Sequence, residues 1–375
     1  MTRINSIFKL LIAVLVMLII ATCIDCGGTN RPIKIAVVGP LTGSQAEFGQ
    51  AVVNGARIAV EEKTRILGRP VELILMDDKA DPKEAVSVAN KLAVDKDIVA
   101  VVGHVNSGTT IPASAVYYKA GLVMITPDAT NPKITEQGFD NVFRVCITDA
   151  QQGPAAAHFV VEKLNKRSVA VIHDKTAYGQ GLAEEFRKTA SLLGCRILSF
   201  EGITEGDREF SGILLKVKNL NPGVLYFGGM YPEASLLVKQ ARSLGIKAAF
   251  VTGDGSFEAK FVEIGGKATE GTFLTFLALP WEETPAAESF VKAYNQRFGE
   301  IKPYAPFSYD ATRIILKAIE LAGKVDRSAL KQVLRSQTFS FEGVVGVTKF
   351  DKKGDSINQK PYIYTVKNGK FILYQ

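Results

Sequence analysis

Metal and redox chemistry are poorly provided for in this 375-residue chain. It has three histidines, His104, His158 and His173, and none has the paired spacing of a zinc site. Each is expected to be a hydrogen-bonded structural residue. Of the four cysteines, Cys23 and Cys26 close an N-terminal leader, leaving Cys146 and Cys195 in the body. These two fall in separate strand-like segments, Val142–Ile147 and Cys195–Phe200, and no pattern brings their Cα atoms within disulfide reach. Two buried free thiols are expected. The chain also lacks a G-x-G-x-x-G loop, a Walker lysine motif and a G-x-S-x-G elbow. Asp77-Asp78 reads as a strand-end pair that caps the next helix rather than as a metal pair. With no constellation of nucleophile, base and oxyanion donor, neither an enzyme nor a metal or cofactor is expected.

Other absences narrow the partners. No basic run or aromatic-interleaved stripe accompanies the formal charge of +7, so nucleic acid is excluded. No low-complexity segment argues for disorder. The apolar run Leu10–Thr22 follows Lys9 and falls short of the about twenty residues that span a bilayer. With Arg3 and Lys9 before it, that run reads as a secretory signal over residues 1–22. Ile20-Ala21-Thr22-Cys23 resembles a bacterial lipobox, with Thr22 where glycine, alanine or serine is usual. Lipidation at Cys23 is therefore expected, ordinary cleavage nearby being the alternative. The mature protein would work in the periplasm or another extracytoplasmic space and touch a membrane only through that anchor.

The remaining about 350 residues suggest two domains. Ile33–Gly39, Val71–Met76, Ile98–Gly103 and Val123–Thr126 read as strands, alternating with helices at Phe48–Lys63, Pro82–Asp95 and Ala113–Ala120. Pro82 suits a first helical turn, with Asp81 as N-cap. Continuous apolar strands in this rhythm imply a parallel sheet covered on both faces. The pattern then restarts: strands at Ser168–His173, Cys195–Phe200, Val224–Gly228 and Phe250–Thr252, helices at Gln151–Lys163, Gly179–Leu193, Glu209–Leu220 and Pro232–Leu244. Ile35–Val38 aligns with Val169–Ile172, and 98–103 with 224–228, so the halves repeat one another.

The tail adds helices at Ala286–Phe298, Tyr309–Ala322 and Arg327–Ser336, and strands at Val345–Phe350 and Tyr362–Val366. These are too few strands for a third core, so the tail should complete the first two lobes. The expected division is residues 33–148 with 277–350, and 149–276 with 351–375, the chain crossing between lobes more than once.

Open α/β sheets bind ligands at the carboxyl ends of their strands. In the first lobe the polar loops there are Leu41–Phe48, Asn106–Thr110 and Pro127–Thr130; in the second, Asp174–Tyr178, Gly229–Tyr231 and Gly253–Gly255. Ser107 and Thr130 sit where a loop enters a helix, where hydroxyls and free backbone N–H groups suit a carboxylate. Asp254, between two glycines, offers a partner to an ammonium. A small zwitterion held between the lobes satisfies both ends.

Gly39-Pro40-Leu41-Thr42-Gly43, Asn54-Gly55-Ala56, Asp81-Pro82, Gly103-His104, Pro127–Pro132, Gln152-Gly153-Pro154, His173-Asp174-Lys175, Tyr178-Gly179, Asp207–Phe210 and Gly228-Gly229 together resemble the periplasmic leucine/isoleucine/valine-binding protein family. The likeness runs from about Ile33 to Gly255 and more loosely beyond. It implies the type I periplasmic binding fold, two Rossmann-like α/β lobes with parallel sheets closing on ligand about a multi-strand hinge. It also implies a partnership: a branched-chain amino acid as ligand and an ABC transporter permease as receiver, the binding protein being a monomer.

Carried over, the ligand carboxylate would meet Ser107 and the Thr130 N–H. The ammonium would meet the backbone carbonyl of Asp128, the Thr130 hydroxyl and Asp254. Tyr178 would close from the second lobe, and Asp149 would lie at the crossover. Phe48 and Met230 stand where tyrosines often line the side-chain pocket, with Val105 nearby, and Asn106, Ala129 and Gly255 belong to the same loops. Asp254 is one methylene shorter than the family's usual glutamate. Asn106 and Ala80 stand where some members carry a disulfide. Asp128 replaces a small residue; it is expected to point outward and cap Thr130–Asn131, the alternative being an inward carboxylate that admits a polar or cationic amine. Two other functions stay open, a receptor's sensing module and a binder of an amide, urea-like molecule or aromatic acid.

Overall fold

The computed structural model describes residues 31–357 and 359–374. The leader and Cys23 lie outside the described residues. β1 (Ile33–Gly39) has six of its seven residues buried. Around it lie β2 (Arg65–Ile66), β3 (Arg69–Asp77), β4 (Ile98–Val102), β5 (Val123–Thr126) and β6 (Val142–Arg144), in the order β2-β3-β1-β4-β5-β6. From β3 to β6 the pairing is parallel; for example, Ile35 lies opposite Leu73 on one side and Ala100 on the other. All five residues of β4 are buried, as a strand covered by helices on both faces requires.

The second sheet repeats this plan. β7 (Ser168–His173), β8 (Arg196–Gly202), β9 (Val224–Gly228), β10 (Ala249–Thr252) and β11 (Phe273–Phe276) pair in parallel. Helices Pro82–Val94 and Ala177–Leu192 open on side-chain caps. Asp81 accepts from the N–H groups of Lys83 and Glu84 at 2.7 and 2.9 Å, and Thr176 accepts from Gly179 at 2.9 Å.

The tail serves both sheets. Helix Ala305–Ala322 packs on helix Ala46–Glu62 beside the first sheet. Gly55 permits the close crossing, since a Cβ there would strike the Ala305 carbonyl. Arg327 fastens the next helix by donating to the carbonyls of Ala93, Asp95, Ile98 and Ala120. A strand was expected at Val345–Phe350. Instead β12 (Phe341–Gly343) and β13 (Gly346–Thr348) form a local antiparallel hairpin. Asp310 shapes its turn by accepting from the N–H groups of Val344 and Val345, and Gly346 takes a φ of 100°. β14 (Tyr362–Lys367) and β15 (Lys370–Leu373) then join the second sheet antiparallel at β11.

Two further differences are local. Helix Gln151–Lys163 begins at Asp149, and its last five residues widen into a π-turn. The Asp77-Asp78 pair does not cap the following helix, which Asp81 does. Asp77 accepts from Leu41 N–H and the Thr42 hydroxyl, fastening the first ligand loop, while Asp78 accepts from Ala80 N–H and lies 2.7 Å from His104 Nδ1. His104 is buried and reaches Tyr117 with its other nitrogen. Cys146 and Cys195 are buried and free. Among the described residues no group of His, Cys, Asp and Glu has metal-binding geometry, and no helix is long and apolar enough to cross a membrane.

Candidate functional site

The carboxyl ends of the two sheets face each other across a cavity of about 20 Å³. That is room for about one water, so the cleft must open to admit an amino acid. Phe48, Val105, Met230 and the ring of Tyr304 form its apolar side. The polar side carries Ser107, Asp128, Tyr178, Asp254 and Gly255. Phe48 owes its position to two edge-on aromatic contacts, with Tyr304 at 5.1 Å and Tyr231 at 5.4 Å between ring centres.

Asp254 follows β10 in a single 3₁₀ turn. Its Oδ1 accepts from Gln152 Nε2 at 2.9 Å and from the Tyr178 hydroxyl at 2.8 Å; its Oδ2 accepts from the Tyr304 hydroxyl at 2.9 Å. Tyr178 accepts in turn from Gly255 N–H at 2.9 Å, and Gln152 accepts from the Thr275 hydroxyl at 2.7 Å. Burial raises the Asp254 pKa, while the three donors pull the other way. The carboxylate is thus fixed in place by three donors in the cavity wall.

The opposing wall is less engaged. Ser107 is the first residue of helix Ser107–Lys119, so helix-end N–H groups collect beside it. Its Oγ accepts from Asn131 N–H at 3.2 Å, leaving its own hydrogen to donate. The Thr130 Oγ1 is buried beside the Asp149 carboxylate, with no hydrogen bond of ordinary geometry among the described residues. Thr130 does not open a substantial helix; the next one is a single turn, Lys133–Glu136. Asp128 corrects an expectation. The residue lines the cavity and is buried instead of pointing outward, and among the described residues no neighbouring group is hydrogen-bonded to its carboxyl, so it does not cap Thr130–Asn131. Burial, followed by the charges of Asp254 and Asp78, pushes its pKa well up.

Ala129, Thr130, Asn106 and Asp149 do not line the cavity itself. Asp149 lies at the start of helix Asp149–His158; its N–H donates to the Thr130 carbonyl at 2.9 Å, and its carboxylate is buried, with the Thr130 hydroxyl its polar neighbour. Burial and the charge of Asp254 raise its pKa well above the usual range. Asn106 stands at the cleft mouth in a chain of contacts: its Nδ2 donates to Gln45 Oε1 at 2.6 Å, and Gln45 Nε2 donates across to Glu205 at 2.8 Å. Asn131 to the Ala177 carbonyl at 2.6 Å, and Tyr231 to the Ser44 carbonyl at 2.5 Å, also join the two sides. This is a closed cleft.

Three contributors escape a reading of sequence alone. Tyr304 comes from the tail, fifty positions from Asp254, and no motif marks it. Gln152 belongs to the recognisable Gln152-Gly153-Pro154 segment but carries no sign that its amide reaches Asp254. Arg144, fully buried, holds the 129–131 loop from beneath by donating to the carbonyls of Ala129 and Asn131 and pairing with Asp355. A single arginine in a strand otherwise built of apolar residues was the available signal.

Known proteins share this architecture. A family model described as periplasmic binding protein matches residues 32–370. The chain is 38% identical over 340 residues to the Leu/Ile/Val-binding protein homolog 1 of Brucella abortus, covering 90% of this chain and 91% of that protein. It is 37% identical to the leucine-, isoleucine-, valine-, threonine- and alanine-binding protein of Pseudomonas aeruginosa, over 92% of this chain and 89% of that one. Among solved structures, the leucine-binding protein of Thermotoga maritima superposes with a TM-score of 0.86 at 34% identity, covering 92% and 98% of the two chains. The branched-chain amino acid transporter substrate-binding protein of Streptococcus pneumoniae, solved in complex with isoleucine, gives 0.84 at 32% identity, covering 91% and 98%.

Proposed function

The chain belongs to the periplasmic binding protein family, and on that premise we propose that it captures a branched-chain aliphatic amino acid between two lobes and delivers it to the permease of an ABC transporter, catalysing no reaction itself. The observation that carries this reading is the pairing, in one small cavity, of an apolar wall with two polar ends of opposite character. Relatives whose names specify leucine, isoleucine and valine support the substrate class.

Each end has a role. Ser107, through its hydroxyl hydrogen and the helix end it opens, receives the ligand carboxylate. Asp254 and the Asp128 carbonyl receive the ammonium, and Thr130, behind the wall of the closed cleft, joins through its N–H and hydroxyl as the cleft opens to admit the ligand. Tyr178 and Gly255 hold Asp254 and close over the ligand, and Phe48, Val105 and Met230 enclose its branched side chain, Met230 adapting to differences in shape. Ala129, Asn106 and Asp149 keep the surrounding loops in place. The lobes, residues 33–148 with 277–350 and 149–276 with 351–375, turn about the chain crossings between them. Ligand shifts that equilibrium through its better affinity for the closed state, which the permease reads. The protein acts as a monomer outside the cytoplasm, anchored through Cys23.

Calorimetric titration of the leader-free protein, unfolded and refolded to strip carried-over ligand, against the twenty amino acids tests this directly. Tight binding of leucine, isoleucine or valine is expected. Silence across the panel would leave the fold intact and move the function to a different solute.

A further inference from the structure

A chain of four alternating charges ties the two sides of the cleft together. Glu47, in helix Ala46–Glu62, and Lys302, just ahead of helix Ala305–Ala322, stand with the first sheet. Glu258 and Lys260, at the start of helix Ala259–Gly265 behind β10, stand with the second. Lys260 Nζ lies 2.9 Å from Glu47 Oε1, Lys302 Nζ 3.1 Å from Glu47 Oε2, and Lys302 Nζ 3.0 Å from Glu258 Oε1. Two of these three pairs cross the cleft. The Lys260–Glu47 pair is largely open to water, whereas the Glu258 side chain is fully buried. Burial raises the Glu258 pKa, and Lys302 opposes that rise. Lys302 is thus the cation that keeps a buried carboxylate paired, and removing one partner of such a pair is costly.

The same two chain segments also meet in the ligand site. Lys302 precedes Tyr304 by two residues, and Glu258 follows Asp254 by four. Tyr304 donates to the Asp254 carbonyl and to its Oδ2, both at 2.9 Å. The stretch from Asp254 to Glu258 is a braced turn: Phe257 N–H donates to the Asp254 carbonyl at 2.8 Å, and Glu258 N–H to the Ser256 carbonyl at 2.9 Å. We infer that Lys302 is a positioning residue: by pairing with Glu258 across the cleft it holds Tyr304 against Asp254 in the closed form, and so sets how tightly the ligand is kept without touching it. This deepens, and rests on, the amino acid-binding reading. The cavity has room for about one water, so every exchange of ligand opens the cleft and parts Lys302 from Glu258. Apparent affinity scales with the population of the binding-competent form, so a pair made only on closing enters it directly.

The test is titration of the parent, Lys302→Met, Lys302→Arg and Glu258→Gln with leucine, isoleucine and valine at low and high salt, with stopped-flow rates and a thermal melt of each variant. Lys302→Met should weaken all three ligands by about tenfold, between the effects of exposed and of buried pairs. The loss should appear as faster dissociation with association no slower, and the parent's affinity should fall more steeply with salt than the variant's. Lys302→Arg, which keeps the charge, should bind within about threefold of the parent. Glu258→Gln keeps the buried shape without its charge; it should lose affinity in the same direction and covers the case in which the Met variant fails to fold. Parent-like affinity and salt dependence in Lys302→Met, or in Glu258→Gln where that variant stands in for it, would overturn the inference and leave the amino acid reading standing. So would an Arg variant as weak as the Met variant, since the charge would then not be what acts. A loss carried by slower association would also overturn it, placing Lys302 on the entry path. A parent that binds none of the three ligands would remove both readings together.

Discussion

The two walls of the cleft carry similar polar equipment, yet they differ in how much of it the protein itself engages. On the second wall Asp254 is met by Gln152 and Tyr178, each held by a further partner, Thr275 or Gly255, and across the cleft by Tyr304. On the first wall the Asp128 carboxyl and the Thr130 hydroxyl are buried with no well-formed hydrogen bond among the described residues, although Arg144 clamps the backbone of their loop from below. One wall is a preorganised acceptor; the other is positioned but completed only by what it binds. Preorganisation lowers the ordering cost of binding, and unsatisfied buried groups make the closed form depend on ligand. A cleft with both properties can hold a ligand tightly and still reopen.

The sharpest way to break this contrast is Asp254→Ala. The change removes the ammonium's charged partner and strands three buried donors. Breaking a buried charge pair by removing one partner costs about 3–5 kcal/mol, so leucine affinity should fall by more than a hundredfold in titration, with a melt confirming the fold. A variant that still binds leucine within tenfold of the parent would assign the ammonium to the first wall and invert the comparison.

Tyr304→Phe is subtler. It removes the hydroxyl that donates to both the carbonyl and Oδ2 of Asp254, but it keeps the ring edge against Phe48. Losing a hydrogen bond to a charged group costs about 1.5 kcal/mol at the low end, so roughly tenfold weaker leucine binding is expected. If the affinity does not move, Gln152 and Tyr178 alone orient Asp254, and the second wall carries redundant support.

How much of this was legible depends on whether the signal was local. The strands of both sheets were readable because continuous apolar segments such as Ile98–Val102 and Val224–Gly228 are buried along their whole length. Asp81 announced itself as a cap from its place before Pro82. The hairpin at Phe341–Thr348 was misread because its apolar residues pair with each other and its turn is organised by Asp310, thirty-four positions upstream. The same limit applies in the site. Tyr304 and Arg144 act through contacts that only the folded chain creates. The direction of Asp128 was missed for another reason: an Asp two residues before a loop threonine caps backbone in most settings, and only the cavity wall shows that here it does not.

A last prediction concerns protons. In the closed cleft Asp128, Asp149 and Asp254 all have raised pKa values, burial being the largest cause in each. An ammonium arriving among them favours the ionised forms, so their pKa values are lower with ligand than without. Protons are therefore released on binding between the two sets of values. By linkage, affinity rises with pH across that window, by at most tenfold per unit for each proton released, and levels off above it. Lowering the pH through the raised values should accordingly weaken leucine binding. Titration at pH 6 in two buffers of different ionisation enthalpy reads the effect as a difference in apparent binding heat. Identical heats, with an affinity flat from pH 5 to 8, would mean that the carboxyl groups of both walls keep one protonation state whether or not ligand is bound. The unpartnered wall would then be no more responsive to the ligand's charge than the wall that is already satisfied.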